Sequence, residues 1–450
     1  MRLTKLEETI GYKIKLYPTK EIEEIFKQYF GASRFVYNLG IHLQEENRKE
    51  YLEGKVKYSL LSYFSLERKL SELKKTEEYS WLNDFDIKSM SLIMKDVVNA
   101  YERFLDGICR YPKYKKKKYR HQMFAIRSER LSIQEDTVKL PSIGIVSCDR
   151  HNHPEIIGSG NKDRITTIYK HYYNARVIFD GCDYWLTFEM EVSHEEGIEV
   201  NSCKRFKNND MWQHKDYSEP IGIDLGCKKN NWIVDSRGNR ISQPDTSKEE
   251  KRIKKYQRKL SIKQKVNELM GKKANSTMVT EKYPMLKEVD KYYTKNEEKI
   301  LKKLNKAYKR RTNKKLAVIH DYACSIIQEK PSSIVMEDIN VESMKLPKSN
   351  EINYKHRKNH NKLVNESMLY SIKTIIERKA QANNIPFILA DKEYPSSQLC
   401  SKCGYRQKIG LLRTYKCPCC GNEIDRDENA ALNLSYIGLP EYNQYDYIIA

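Results

Sequence analysis

Long apolar segments are absent from this 450-residue sequence, and their absence excludes an integral membrane protein. The longest apolar runs, for example residues 143–146 and 326–327, stop far short of the ~20 residues that cross a bilayer. The first twenty residues alternate charged with apolar side chains and contain no signal-peptide core. The 11 cysteines are too sparse for a disulfide scaffold, and five of them fall between residues 400 and 420. Such clustering favours metal binding in a reducing compartment.

The charge balance is strongly positive. The 82 Lys and Arg residues outnumber the 61 Asp and Glu residues, which gives a net charge of +21. This excess, together with 32 tyrosines, favours a polyanionic partner, most simply nucleic acid, although a merely well-solvated basic surface is an equal alternative. With 39% hydrophobic residues the chain can bury cores, which excludes full disorder. The length predicts about two to four structural units.

The N-terminal quarter predicts one strand followed by helices. Residues 12–17 alternate with period two before a proline, so a strand is expected within residues 1–18. Apolar residues then recur at helical spacing to about residue 105, within a helical domain of residues 19–122 that Thr19 caps.

Residues 123–195 predict short strands. Their spacing suits a small β-barrel that the first strand completes. Within this block Cys148, His151 and His153 mimic a metal site, but they have no distant fourth ligand, so a polar loop is expected. The polar stretch 196–218 is expected to be a linker.

A block of basic and aromatic residues follows the predicted helices. Tyrosines flank a run of lysines there, so rings that can stack on bases lie beside ammonium groups that can pair with phosphates. A solvated loop is the ordinary alternative for a charge run. We predict nucleic-acid contact by this basic tract, which consists of Tyr111, Lys113, Tyr114, Lys115, Lys116, Lys117, Lys118, Tyr119 and Arg120.

An acid interrupts a predicted strand in the second half. Residues 220–226 have a buried-strand pattern broken only by Asp224, and a second strand at residues 231–235 follows. This resembles the opening hairpin of an RNase H-like sheet. The actin-like ATPases open in the same way but usually carry Thr where this chain has Cys227. Asp224 capping a turn is the plain alternative.

A second predicted strand, at residues 333–340, contains Glu337 directly after Ile-Val-Met. An acid at that position is costly to bury unless it binds a metal or is paired. Because side chains alternate along a strand, Glu337 and Asp338 face opposite sides, and Asp338 is expected to face solvent or act as a cap.

A third acid lies in the first turn of a predicted helix. Asp425 and Glu428 have the spacing of a capping box, which makes Asp425 the N-cap. Asp427 then shares a face with apolar residues three, four and seven positions further on, and that face packs on a sheet. Asp427 should therefore point toward the strands, although a first-turn Asp can also serve only the helix dipole.

Asp224, Glu337 and Asp427 are thus expected to converge. Converging carboxylates repel one another unless cations neutralise them. Two Mg²⁺ ions about 3.5–4 Å apart would activate water on one side of a phosphodiester and stabilise the leaving oxygen on the other. The constellation predicts phosphodiester hydrolysis without a covalent intermediate.

Two Cys-x-x-Cys pairs stand thirteen residues apart. Cys400, Cys403, Cys417 and Cys420 predict one closed, structural Zn²⁺ site in a zinc ribbon of residues 391–423. Cys419 is a spare thiol inside the second pair, and redox chemistry is the alternative for the cluster.

The ribbon interrupts the predicted catalytic domain. Residues 219–390 form its first part, with a helical insertion at 248–316 and a polar loop at 271–296, and residues 424–437 form its last helix. The tail, residues 438–450, is expected to be partly disordered. Just inside the ribbon, nucleic-acid contact is predicted for three polar residues, with a plain loop as an equal alternative: Ser396, Ser397 and Gln398.

The order of motifs resembles the TnpB family of transposon-encoded nucleases and the related compact type V CRISPR effectors. The motifs are FVYN, YPKYKKK, GIDLG, IVMEDI, the paired cysteines and DRDENAALN. The resemblance implies a multidomain α+β fold. A small wedge β-barrel and a helical recognition lobe would precede an RNase H-like (RuvC) α/β nuclease domain with an inserted zinc ribbon.

The resemblance also implies an RNA-guided DNA endonuclease with one RuvC-like site at Asp224, Glu337 and Asp427. Its cofactors would be two catalytic Mg²⁺ ions, one structural Zn²⁺ ion and a guide RNA. Its partners would be that RNA and target double-stranded DNA bearing a short adjacent motif, with no membrane involved. The expected location is the prokaryotic cytoplasm, with either one copy or a homodimer on each RNA. A transposon or a CRISPR association stays open.

Two further alternatives remain. A non-enzymatic RNA-guided or direct DNA-binding zinc-ribbon protein, such as a repressor, would bind without cutting. A nuclease-dead descendant should lack at least one of the three acids, and all three are present. A strand-joining transposase would use the same acids for transesterification.

Overall fold

The chain folds into two compact units, Met1–Ile198 with Arg252–Ala307 and Glu199–Lys251 with Tyr308–Ala450. No helix in the described part of the chain is long and apolar enough to cross a membrane. The structure is a computed structural model that describes residues 8–115, 121–134, 136–149, 168–192, 219–269, 275–278, 288–291, 294–347, 353–410 and 412–440.

The helices of the first unit follow the apolar periodicity of the sequence. They are α1 (Lys20–Leu52), α2 (Tyr63–Leu73) and α3 (Ile87–Leu105), with a 3-10 helix at Glu77–Asp84. The predicted N-cap is confirmed, because the Ile22 N–H donates to the Thr19 hydroxyl at 3.4 Å. Gly54, just beyond α1, has a φ of +72°, a left-handed value that favours glycine at a helix end.

Seven strands form one antiparallel sheet in the first unit. Their order across the sheet is β2-β6-β7-β1-β5-β4-β3. The strands are β1 (Glu8–Tyr17), β2 (Gln122–Ala125), β3 (Ser132–Ile133), β4 (Thr137–Leu140), β5 (Gly144–Cys148), β6 (Ile168–Phe179) and β7 (Tyr184–Val192). The N-terminal strand lies in the centre of this sheet, between β5 and β7.

The expected barrel is wrong for the described residues, where the sheet is open. Its edges are β2, with four residues, and β3, with only two, and these two strands do not pair with each other. Closure requires a continuous ladder between the edge strands, which such short segments do not supply. Helix α1 packs on the sheet instead. The ring of Phe26 lies 5.6 Å from that of Phe124 and 5.4 Å from that of Tyr184, measured between centroids.

Two long helices occupy the predicted helical insertion. They are α4 (Ser247–Leu269) and α5 (Lys295–Gln328). Helix α5 continues past the expected end at residue 316 because Ile319, Tyr322 and Ile326 recur at helical spacing and are buried. The predicted loop at 271–296 contains a two-stranded antiparallel sheet of β11 (Asn275–Met278) and β12 (Glu288–Lys291).

The second unit is built on a five-stranded sheet in the order β10-β9-β8-β13-β14. The predicted opening hairpin is confirmed, since β8 pairs antiparallel with β9, and β9 with β10. Strands β13 and β14 then run parallel to β8. The strands are β8 (Ile221–Leu225), β9 (Ile233–Asp235), β10 (Arg240–Ile241), β13 (Ile334–Glu337) and β14 (Phe387–Ala390).

Helices cover both faces of this sheet. Apolar residues of α5 and of α7 (Leu369–Gln381) share one core with Ile223 and Met336. On the opposite face Val335 packs with Leu434 of α8 (Arg426–Ile437). The sequence analysis did not identify α7, β14 or α6 (Tyr354–Glu366). A short two-stranded sheet of β15 (Thr414–Lys416) and β16 (Glu423–Asp425) leads directly into α8.

Helix α8 approaches β8 so closely that only glycine fits between them. A Cβ atom on Gly222 would lie 2.0 Å from the carbonyl oxygen of Ala431 and 2.3 Å from the backbone nitrogen of Ser435. Both atoms belong to the helix backbone and cannot rotate away. The glycine of the GIDLG motif therefore sets the distance between strand and helix.

We expect Gly222→Ala to destabilise the second unit by about 1–3 kcal/mol, since overpacking against backbone must displace the helix. Thermal melting, with hydrogen exchange across α8, measures this. Gly31→Ala is the control, because a Cβ on Gly31 meets nothing within 4 Å and that residue lies inside α1. Equal melting temperatures for the two variants would contradict the prediction.

Candidate metal-binding site and cysteine cluster

The parallel strands β8 and β13 bring Asp224 and Glu337 to the same edge of the sheet. The register pairs Met336 with Ile223, and the two acids follow these residues on adjacent strands. By strand alternation Asp224 shares a face with Gly222, against which α8 packs. Glu337 likewise shares a face with Val335, on the α8 side of the sheet.

Helix α8 supplies the third acid to this face. The Asp425 side chain accepts from the N–H groups of Asp427 and Glu428, which confirms the predicted N-cap. The apolar face that the sequence predicted for α8, with Ala430 and Leu434, is buried against the sheet. Asp427 is only 6% exposed, so its carboxylate points into the unit.

The three predicted acids lie close enough to interact electrostatically. Burial, followed by the negative charges of Glu337 and Asp427, raises the pKa of Asp224 well above its usual range. The positive charge of Arg426 opposes this increase but does not cancel it. A carboxylate that resists ionisation beside two others is what a divalent cation would relieve.

The pKa of Asp427 is shifted in the opposite direction, downward. Burial acts to raise its pKa, but a hydrogen bond from Asn231 and the charges of Arg413 and Arg426 outweigh burial, so the pKa is lowered. The Asn231 amide donates to Oδ2 at 2.9 Å, and the Arg413 guanidinium lies 3.0 Å from the same oxygen. Arg426 Nε lies 3.4 Å from Oδ1.

Asp338 takes no part in this cluster. Its carboxylate pairs with Lys373 at 2.9 Å and with Lys392 at 3.7 Å. The hydrogen bond from Lys373 lowers the pKa of Asp338. Asp338, the residue next to Glu337, is thus a partly exposed ion-pair partner, whereas Glu337 lies on the α8 side of the sheet.

A polar cavity of about 270 Å³ opens beside Glu337. The predicted nucleic-acid contacts Ser396, Ser397 and Gln398 line it together with Arg406. Ser396 is 3% exposed and donates a hydrogen bond to Glu337 Oε1, so its hydroxyl is directed at the acid.

The four predicted zinc ligands lie together. The Sγ atoms of Cys400, Cys403, Cys417 and Cys420 are all within 4.8 Å of one another, a set that can hold a metal ion. Cys419 is exposed and outside this set. Each pair is followed by a glycine with positive φ, +74° at Gly404 and +69° at Gly421, as a tight turn around a metal requires.

Three residues in the described part of the basic tract pack into the first unit. Tyr111 meets the ring of Tyr101 edge to face at 5.6 Å, and the Tyr114 hydroxyl donates to Glu45 at 2.7 Å. The Lys115 ammonium lies 3.6 Å from the ring centroid of Tyr37, and burial lowers the pKa of Lys115 to about 8. These contacts favour a packing role for the three residues.

Several other predicted positions lie partly or wholly outside the described residues. Lys113 of the basic tract is exposed, whereas residues 116–120 are not described. Cys148 is buried at the end of β5, and residues 150–167, with His151 and His153, lie outside the described part, as do residues 193–218 and 441–450.

Sequence reasoning missed the residues that hold Asp427 in place. Asn231 and Arg413 contact that carboxylate, and Arg240 pairs with its neighbours Asp425, at 3.3 Å, and Glu428, at 2.9 Å. Asn231 precedes its partner by 196 positions, and one polar residue at the start of a strand forms no pattern. Only the folded structure shows that these residues lie close to Asp427.

Two family models match parts of the chain. A model described as Cas12f1-like, TNB domain, matches residues 370–434, which hold the cysteine cluster and Asp427. A helix-turn-helix domain model, HTH_OrfB_IS605, matches residues 8–53. In this structure that segment is strand β1 followed by the single helix α1.

Curated relatives match over nearly the full length. A putative RNA-guided DNA endonuclease of Streptomyces pristinaespiralis is 23% identical over 439 residues, covering 95% of this chain and 89% of the relative. The putative RNA-guided DNA endonuclease InsQ of Escherichia coli is 21% identical and covers 95% of this chain and 92% of the relative. The TnpB-like protein L79 of a mimivirus is 45% identical over 53 residues, 12% of this chain and 10% of that protein.

Solved structures are similar at lower identity. The Cas12f1 complex with guide RNA and target DNA has a TM-score of 0.42 at 13% identity, covering 96% of this chain and 98% of that chain. A mini RNA-guided endonuclease, CRISPR-Cas_phi3, has a TM-score of 0.39 at 12% identity, covering 97% and 94%. The family models and curated relatives confirm the resemblance to TnpB and the compact type V effectors.

We expect Cys400→Ser to lose the metal of the cysteine cluster, because three thiolates do not close a tetrahedral zinc site. Zinc content measured by mass spectrometry should fall from one ion per chain to nearly none. Cys419→Ser is the matched control and should keep its zinc. Retention of zinc by Cys400→Ser would rule out this set of ligands.

The raised pKa of Asp224 predicts a pH-dependent cost to stability when no divalent cation is present. The folded state keeps this proton where the unfolded state has released it. The free energy of unfolding should therefore fall as pH rises from about 4 through the folded value. Asp224→Asn should consequently melt at a higher temperature than the wild type at pH 7 in magnesium-free buffer, and the difference should shrink near pH 4.

Asp338→Asn is the control for that measurement. Its carboxylate has a lowered pKa because of Lys373, so losing the charge should lower the melting temperature slightly. A lower melting temperature for Asp224→Asn at pH 7 would contradict the electrostatic interpretation.

Proposed function

We propose that this chain is an RNA-guided DNA endonuclease whose hydrolytic site consists of Asp224, Glu337 and Asp427. The observation that carries the proposal is the convergence of these acids on one face of the five-stranded sheet. The sheet has three antiparallel strands followed by two strands that run parallel to the first, which is the strand arrangement expected of an RNase H-like (RuvC) domain. Both nearly full-length relatives are named putative RNA-guided DNA endonucleases.

The three acids offer the oxygen ligands of a divalent-metal site. Asp224 is disfavoured as an anion by burial and by its two neighbours, so positive charge between the acids would stabilise the ionised form. Two Mg²⁺ ions bound there would activate a water molecule and stabilise the leaving oxygen of a phosphodiester. All three side chains end in carboxylates, the ligands that Mg²⁺ prefers.

The chain's own residues keep Asp427 in position. Asn231 donates to one oxygen of Asp427, and the guanidinium of Arg413 lies against the same oxygen. Arg240 pairs with Asp425 and Glu428 on either side of Asp427, which ties β10 to the first turn of α8. These contacts fix Asp427 relative to the sheet that bears the other two carboxylates.

The cysteine cluster is proposed to hold one structural Zn²⁺ ion. Four thiolates complete a tetrahedral shell and leave no open position for chemistry. On this proposal residues 391–423 form a zinc ribbon inserted between the two parts of the nuclease domain, residues 219–390 and 424–437. Strands β15 and β16 join the ribbon to α8 and so to Asp427.

The proposed partners are a structured guide RNA and target double-stranded DNA. The net charge of +21 suits a protein that holds two polyanions. Base pairing would read the target sequence, and the protein would read a short motif beside it. On this proposal residues 19–122 form the helical recognition lobe, and residues 1–18 and 123–195 form the wedge domain.

RNA that co-purifies with the full chain, expressed with its native flanking DNA, tests the guided part of the proposal. Sequencing should find one structured RNA with a variable end. Purified protein that enriches no RNA would contradict the guided part of the proposal. In a separate reaction with DNA, strand-transfer products instead of simple cuts would indicate a transposase.

With that RNA and a matching duplex, we expect Asp224→Ala, Glu337→Gln and Asp427→Ala each to reduce the cleavage rate by about three orders of magnitude. A metal-stabilised transition state is worth several kcal/mol, and each ~1.4 kcal/mol is tenfold in rate. Cleavage of a labelled duplex in Mg²⁺ measures this. Asp338→Asn is the matched control and should cut at nearly the wild-type rate. Full activity in all three acid variants would exclude this site.

A further inference from the structure

Ser396 was expected from the sequence to contact nucleic acid, but its surroundings indicate a different role. The residue is 3% exposed, which leaves almost none of it available to a ligand. Its hydroxyl donates to Glu337 Oε1. A hydroxyl has one proton to donate, and here that proton is directed to a proposed metal ligand.

The backbone of Ser396 is fixed from the opposite side by α8. The Asn433 amide donates to the Ser396 carbonyl at 2.7 Å and to the Leu399 carbonyl at 2.8 Å. The Tyr394 hydroxyl donates to the Asn433 carbonyl at 3.1 Å, which adds a third bond between loop and helix. Asn433 is 3% exposed, so these bonds are shielded from competing water.

One helical turn earlier, Asn429 makes the same kind of contact. Its amide donates to the Leu399 carbonyl at 2.6 Å, and its side-chain oxygen accepts from the Ser401 N–H at 2.9 Å. These two backbone groups flank Cys400, the first ligand of the cysteine cluster. Asn429 and Asn433 are four residues apart and therefore lie on one face of α8.

The same helix thus carries Asp427 and holds the loop that orients Glu337. A glutamate at the end of a strand has several rotatable bonds, and nothing in the strand itself selects one carboxylate orientation. A fixed donor on Oε1 selects one of these orientations. Such outer hydrogen bonds determine how well a metal ligand is presented.

We infer that Ser396 is a positioning residue for Glu337, held by Asn433, and that it sets the divalent-metal affinity of the acid cluster without touching nucleic acid. The inference rests on the proposed function, because it assigns Ser396 to the same site. Ser397 provides a natural contrast. It lines the same cavity and is more exposed.

The test measures Mn²⁺ binding to the full-length protein. The electron spin resonance signal of free Mn²⁺ reports the binding, so the measurement requires no cleavage. Ser396→Ala should weaken Mn²⁺ binding by about tenfold or more, the range found when a hydrogen bond to a metal ligand is removed. Ser396→Thr retains the hydroxyl and should bind Mn²⁺ nearly as tightly as the wild type. Ser397→Ala should be unchanged.

Three results would overturn the inference. The first is wild-type affinity in Ser396→Ala. The second is an equal loss in Ser396→Thr, which would show that the hydroxyl is not responsible. The third is loss of zinc from Ser396→Ala, measured by mass spectrometry, which would mean that the loop has unfolded rather than released one hydrogen bond.

Glu337→Gln separates failure of this inference from failure of the proposed function. If Glu337→Gln loses Mn²⁺ binding and Ser396→Ala does not, only the role of Ser396 is wrong. If Glu337→Gln binds Mn²⁺ as the wild type does, the metal site itself is wrong, and the inference is overturned with it.

Discussion

The close packing of α8 on β8 is the constraint on which the second unit depends. The helix backbone lies so near the strand that Gly222 has no room for a side chain. This contact sets the height of Asp427 above the sheet, because that residue lies in the first turn of the same helix. It also sets the position of Asn433, which holds the loop that reaches Glu337. The close approach of the two backbones therefore positions Asp427. It also positions Asn433, which holds the loop that bonds to Glu337.

The charges around the site are arranged unequally. Asp427 is surrounded by Asn231, Arg413 and Arg426, and its pKa is lowered, whereas the pKa of Asp224 is raised by burial and by the other two acids. A site with every acid paired to an arginine would have no need of a metal ion. If no acid were paired with an arginine, the carboxylates on the strands would repel Asp427 and the helix that carries it. In the observed arrangement Asp427 on the helix is stabilised as an anion, whereas Asp224 on its strand is disfavoured as an anion.

The cysteine cluster and the acid cluster share one structural support. Asn429 bonds to the backbone on both sides of Cys400, and Asn433 bonds to the backbone at Ser396 and Leu399. The segment that holds the cysteines would otherwise be joined to the second unit only by its two chain connections. The paired asparagines attach it to the helix that carries Asp427.

The sequence by itself singled out the three acids and the four cysteines as candidates. Each acid stands where local pattern is informative: on a buried strand for Asp224 and Glu337, and in the first turn after an N-cap for Asp427. The cysteine spacing is equally local. Periodicity also located the first-unit helices and strands, although it suggested a closed barrel where the described strands form an open sheet.

Tertiary structure decided what these residues contact. The partner of Asp427 is an asparagine 196 positions earlier, and that of Glu337 is a serine 59 positions later. Ser396 looked like a surface polar residue because its neighbours in the sequence are polar. Its burial is a result of packing against α8. Local periodicity records how a segment meets water and core, whereas a hydrogen bond between distant segments leaves no trace in either segment alone.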